Sequence, residues 1–121
     1  MNTTTLAAMD IRHCSKDTPP LAARDCESLL QHLPLWRVQA AEDGLLLQRS
    51  WRFRDYAQAL AFTNQVAALA EDANHHPALL LEWGKVEVSW WTHTIGGLHL
   101  NDFIMAARCE LASQGDGKGG S

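Results

Sequence analysis

Three of the six histidines stand where a chain usually presents working side chains. His75 and His76 are neighbours in the stretch Ala73-Asn74-His75-His76-Pro77, which follows a long segment of helical periodicity. His93 closes a run in which apolar and polar residues alternate. The ends of helices and strands are favoured places for functional groups, because the element behind them is rigid and the tip is open. Imidazole has an unperturbed pKa close to neutrality, so it can both give and accept a proton. The chemistry these residues suit is therefore general acid–base catalysis.

Other readings of the same residues stay open on pattern alone. An adjacent histidine pair in a loop also fits a surface or capping feature, and His93 fits a satisfied strand-end residue. Zinc is a third reading, and the spacing speaks against it. Neighbouring residues rarely ligate one metal together, and neither a helical histidine spacing nor a cysteine pair assists. The three cysteines, Cys14, Cys26 and Cys109, are odd in number and form no CxxC. They signal neither a disulfide framework nor a zinc ribbon, and they fit a reducing cytosol.

The elements that must position these residues can be read from periodicity. Leu21 to Leu33 predicts a short helix, with Ala22, Cys26, Leu29, Leu30 and Leu33 near helical spacing and Pro34 as its stop. Trp36 to Ala40 and Leu45 to Phe53 predict strands joined by the turn Glu42-Asp43-Gly44, where Gly44 can take a positive φ. In the second strand Leu45, Leu47, Trp51 and Phe53 share a face that Arg49 interrupts; Arg49, Arg52 and Arg54 read as a solvated strand end. Asp55 to Asp72 predicts the longest helix, capped by Asp55 and carrying the stripe Ala59, Phe62, Val66 and Leu69. Ala78 to Glu82 and Lys85 to His93 predict a hairpin around Trp83-Gly84. Alternation turns Val86, Val88, Trp90 and Thr92 to one side and Glu87, Ser89, Trp91 and His93 to the other. The first face suits packing against helices, and the second suits a ligand or partner. Asn101 to Leu111 predicts a last helix, with Phe103, Ile104, Ala107 and Leu111 at helical spacing. Helices between tight strand pairs predict an α+β fold, an antiparallel sheet with helices on one face.

The 121 residues suit one domain, which spans 21–112. Residues 1–20 are polar, end in Pro19-Pro20 and read as a mostly extended arm; residues 113–121 read as a flexible tail. A net charge of -4 argues against nucleic acid as the main partner, because phosphate neutralisation needs a basic patch. No apolar run is long enough for a membrane span, and no signal-peptide pattern opens the chain, so a cytoplasmic protein is expected.

Glu71-Asp72-Ala73-Asn74-His75-His76-Pro77 resembles the E-x-x-x-H-H-P signature of the pterin-4a-carbinolamine dehydratases. Trp83, Val86-x-Val88, Thr92-His93, Gly97-Leu98 and Asp102 follow in that family's order and spacing. Upstream, Leu33-Pro34-x-Trp36, Phe53, Ala61-Phe62 and Val66-Ala67 fit as well. The resemblance runs from Leu21 to Leu111. Glu82-Trp83-Gly84-Lys85-Val86 and the stretch Asn101 to Arg108 look most like bacterial members associated with phenylalanine hydroxylase.

The resemblance implies a four-stranded antiparallel sheet with three helices on one face, assembled as a homodimer or homotetramer. It implies the removal of water from a 4a-hydroxytetrahydropterin, such as 4a-hydroxytetrahydrobiopterin, to give a quinonoid dihydropterin. That step recycles the cofactor of aromatic amino-acid hydroxylases, which makes a functional link to phenylalanine hydroxylase, and it requires no metal or organic cofactor. By the same analogy His75 and His93 are the acid–base pair and His76 binds and orients the pterin. Glu71 holds a histidine's orientation or favours its protonated form. The substrate site implied comprises His75, His76, Pro77, Trp91, Thr92, His93, Thr94 and Ile95. Trp91 either stacks on the flat ring or packs at a subunit interface. Asp102 has two readings, a catalytic acid of the site or a first-turn acid answering the free N–H groups of the last helix. His99 stands where many relatives carry a capping threonine, so the cap there is weakened or made differently.

Relatives of this fold also serve as binding modules. Vertebrate members act as a dimerisation cofactor for a homeodomain transcription factor, and some bacterial relatives look like carboxylase assembly factors. A module released from catalysis is free to lose the histidines, whereas this chain has all three together with Glu71 and Asp102.

Overall fold

β2 (Gly44–Arg52) buries Leu47, Arg49 and Trp51 at alternate positions, with Leu45 at the start of that face exposed, β4 (Lys85–Trp90) buries Val86, Val88 and Trp90, and these two strands take the centre of the sheet. They pair antiparallel in a register that sets Leu47 opposite Trp90 and Trp51 opposite Val86. The less buried strands β1 (Arg37–Ala41) and β3 (Ala78–Glu82) form the edges, giving the order β1-β2-β4-β3, antiparallel throughout. The chain is seen in a computed structural model that describes residues 1–42 and 44–115. Gly44, at the β1–β2 turn, has a φ of 133°, and a Cβ there would run into the Gly96 carbonyl oxygen. Both facts require glycine. Asp43 of the predicted turn lies outside the described residues.

Three main helices pack against the sheet: α2 (Ala23–Leu30), α3 (Tyr56–Ala73) and α4 (Leu100–Gly115). Asp55 caps α3 by accepting the Gln58 N–H at 2.9 Å, and Ala59, Phe62, Val66 and Ala70 form its buried stripe. The helix ends at Asn74, whose φ of 51° is left-handed, and the Asn74 and His75 N–H groups both turn back to α3 carbonyls. Asparagine tolerates this conformation, which satisfies the last carbonyls of a helix and redirects the chain. His75 is thereby fixed to the end of α3 by its own backbone.

Four expectations are corrected. Residues 1–20 are not an extended arm along their whole length, because Thr3–Ala7 forms a helix, α1, with Leu6 fully buried against the core. Arg108 of α4 donates to the Ala7 and Met9 carbonyls, which anchors this segment. Arg49 is not part of a solvated strand end. It is buried, pairs with Glu110 of α4 and lies 4.3 Å over the Trp51 ring, and Trp36 Nε1 donates to the same Glu110 oxygen. β4 does not run to His93. Thr92 bridges to Gly97 instead, and His93–Ile95 coil into a 3₁₀ turn closed by Gly96 at a φ of 62°. Finally, α4 extends past Leu111 through Ser113, a residue predicted to begin the tail; Ser113 is buried and its hydroxyl donates to the Glu110 carbonyl. Residues 116–121 of that tail lie outside the described residues.

Candidate active site

The left-handed turn at Asn74 carries His75 to the first turn of α4, where its Nε2 meets Asp102 Oδ1 at 2.6 Å. The His75 side chain keeps 15% of its surface exposed and the Asp102 side chain none. The second oxygen of Asp102 accepts from the Thr92 hydroxyl at 2.8 Å and from the His99 N–H at 2.9 Å. Three bonds converge on one buried carboxylate, which satisfies the requirement that a buried acid be fully partnered. Trp90 stacks on the ring, with centroids 5.5 Å apart and planes inclined by 24°. The His75 imidazole is therefore held by a carboxylate at Nε2 and by an indole face. Nδ1 remains as the nitrogen able to meet a ligand.

Asp102 serves the cap of α4 and also touches His75. As the third residue of α4 it answers the His99 N–H, the reciprocal half of a capping box, and its other oxygen holds His75. His99 supplies the remaining half through an unusual group, because its Nδ1 accepts the Asn101 N–H at 3.0 Å. Only a lone pair on Nδ1 can do so. Partial burial lowers the His99 pKa; His75 and Arg12 reinforce this and Asp102 opposes it.

The other predicted residues form two more exposed groups. His76 Nε2 lies 2.6 Å from Glu71 Oε1, with 53% and 79% of the two side chains exposed. Trp91 Nε1 donates to His93 Nδ1 at 3.2 Å, with the rings 4.5 Å apart. An indole N–H can only donate, so this bond leaves Nε2 of His93 to face a ligand. Pro77 and Ile95 are half-buried, and Thr94 is exposed in the 3₁₀ turn. No hydrogen bond or ring contact joins His93 to His75 among the described residues.

A cavity of about 310 Å³ opens beside His75. It is walled by Ala73–His75, by Thr92, Thr94 and Asn101, and by Ile11–Cys14 from the N-terminal segment. The last wall was missed in the sequence, as was the Trp90 support. Trp90 sits on the face predicted to meet helices, which it does, and the end of α3 is what brings His75 over it. Among the described residues no cluster of three or more His, Cys, Asp or Glu could hold a metal ion.

A model of the family described as Pterin 4 alpha carbinolamine dehydratase matches residues 19–112. The chain belongs to the pterin-4a-carbinolamine dehydratase family. A protein of Saccharophagus degradans assigned by name to these dehydratases is 50% identical over 102 residues, which is 84% of this chain and 90% of its relative. A similarly assigned protein of Chlorobium limicola is 55% identical over 95 residues, 78% of this chain and 84% of the other. Among solved structures, a transcriptional coactivator/pterin dehydratase from Brucella melitensis superposes with a TM-score of 0.69 at 28% identity, over 77% of this chain and 97% of that one. A pterin dehydratase-like protein identified as a RuBisCO assembly factor in the alpha-carboxysome gives 0.54 at 28% identity, over 64% and 87%. The activity is accordingly that of a hydro-lyase, the dehydration of a pterin 4a-carbinolamine, which recycles a pterin cofactor. Among the described residues no helix is long and apolar enough to cross a membrane.

Proposed function

We propose that His75 and His93 perform the dehydration as an acid–base pair. Loss of water from the carbinolamine needs one proton delivered to the departing 4a-hydroxyl and one removed from a ring nitrogen, so that the C=N bond forms. The observation that carries the reading is the Asp102–His75 contact. A carboxylate on Nε2 fixes the tautomer with its lone pair on Nδ1, the form a general base needs, and stabilises the imidazolium that results. His93 is solvent-exposed and can take up a proton from water, opening its bond to Trp91, before delivering it to the hydroxyl. Each such group contributes typically about 10²–10⁴-fold. The stereochemistry of the bound carbinol decides whether the two roles exchange. His76, oriented by Glu71, binds the pterin, with Trp91, Thr94, Pro77 and Ile95 completing its surroundings.

The further assignments rest on the same reading. The substrate is 4a-hydroxytetrahydrobiopterin, supplied by a phenylalanine hydroxylase in the cytoplasm, and the three free cysteines fit that compartment. The protein works as a homodimer or homotetramer. The edge strand β3 and the turn after it support this, with Leu80 47% and Trp83 68% exposed. The test is turnover of the carbinolamine by His75→Ala and His93→Ala. Both variants lose rate far more than stability, and unchanged turnover in both removes the proposed roles.

A further inference from the structure

The N-terminal segment is fastened to α4 and to the loop before it at successive points. Arg108 holds the Ala7 and Met9 carbonyls at 3.0 and 2.9 Å. The Leu21 N–H donates to the Leu98 carbonyl at 2.8 Å, and a Cβ on Gly97 would press on Pro20 at 3.0 Å. Between these anchors stands Asn101. Its Oδ1 accepts the Arg12 N–H at 2.9 Å and its Nδ2 donates to the Arg12 carbonyl at 2.8 Å. One buried amide thus satisfies both backbone groups of one residue, an arrangement that fixes a strand-like segment without a neighbouring strand. The residue clamped in this way lines the same cavity as His75.

We infer that Ile11–Cys14 is a substrate-binding wall of the active site and that Asn101 is the positioning residue that holds it. The inference rests on the dehydratase reading of the His75 site. The segment adds Arg12 and His13 to a cavity whose other polar lining residues are Asn74, His75, Thr92, Thr94 and Asn101. A flat heterocycle edged with amide-like donors and acceptors is the ligand class that such a lining suits. Asn101 also sits one residue before Asp102, so the wall and the His75–Asp102 pair are registered by the same helical turn.

The test compares wild type with Asn101→Ala and Asn101→Asp, the second of which keeps an acceptor for the Arg12 N–H. Losing one or two part-buried hydrogen bonds loosens the wall, so KM for the carbinolamine rises about five- to tenfold in Asn101→Ala and less in Asn101→Asp. Turnover at saturating substrate stays within about twofold of wild type, because Asp102 and His75 are untouched. Amide exchange at Arg12 accelerates in Asn101→Ala. Released Arg12 exchange with an unchanged KM overturns the inference. A second measurement needs no variant: 7,8-dihydrobiopterin bound to wild type slows amide exchange across residues 11–14, and saturation without added protection there also overturns it. Wild-type turnover is scored separately, so a protein that binds the pterin and protects the wall but does not dehydrate would sink the catalytic reading alone.

Discussion

Asp102 and His75 are joined by a 2.6 Å contact between Oδ1 and Nε2, while the other oxygen of the same carboxylate holds Thr92 and closes the N-terminal cap of α4. One buried acid therefore couples the orientation of the His75 imidazole to the folding of the helix beneath it. Asp102→Asn preserves the shape but replaces one acceptor with an N–H₂ donor. If the amide nitrogen faces His75, the ring must flip its tautomer to remain bonded, and Nδ1 then carries a proton where the proposed base requires a lone pair. If it faces Thr92 and His99, the cap is lost. Turnover is expected to fall about 10²–10⁴-fold, with thermal stability lowered as well. Retained turnover would show that His75 works without this support.

His99 gives a pH signature to stability. Its folded-state pKa lies below the ordinary value of 6.5, chiefly because of burial, so the unfolded chain takes up the proton first as pH falls. The stability associated with neutral His99 is present above 6.5 and is lost as pH drops from that value towards the folded pKa. His99→Thr keeps a side-chain acceptor for the cap and removes the titration. Urea unfolding at a series of pH values should show the variant gaining on wild type below pH 6.5, with a constant offset above it. An offset that is constant across the whole range would count against the lowered pKa.

The buried Arg49–Glu110 pair makes a separate prediction about stability. Glu110→Gln leaves an amide oxygen able to accept from Trp36 but removes the charge that compensates Arg49. Breaking a buried pair from one side typically costs about 3–5 kcal/mol. Denaturant unfolding of the variant measures this directly, and a loss below about 1 kcal/mol would place the pair with solvent-screened surface ion pairs.

The parts of this molecule that were legible in the sequence are those fixed by local periodicity. The stripe Ala59, Phe62 and Val66 announced α3, and the alternation of Val86, Val88 and Trp90 announced β4. What escaped was set by contacts distant in the chain. Arg49 read as a surface arginine because its partner is 61 residues away. The helix α1 is only five residues long, too short to form on its own, and it is held by Arg108 across 101 and 99 residues. His93 left its predicted strand because the Thr92–Gly97 bridge and the positive φ of Gly96 close a tight turn, which no alternation pattern encodes. Leu69, which helical spacing assigns to the buried stripe of α3, is only half-buried, the place at the core being taken by Ala70. At the site, the resemblance supplied His75, His76, His93, Glu71 and Asp102 as a set. That Asp102 engages His75, and Glu71 engages His76, is visible only in three dimensions.

Removal of water from the carbinolamine by histidines of this site is open to a direct test. The direct measurement follows carbinolamine decay by absorbance while a hydroxylase generates it, with wild type beside the folded double variant His75→Ala/His93→Ala. Wild type is predicted to accelerate the decay and the double variant to leave it at the uncatalysed rate. Equal acceleration by the two proteins would contradict histidine acid–base catalysis at this site.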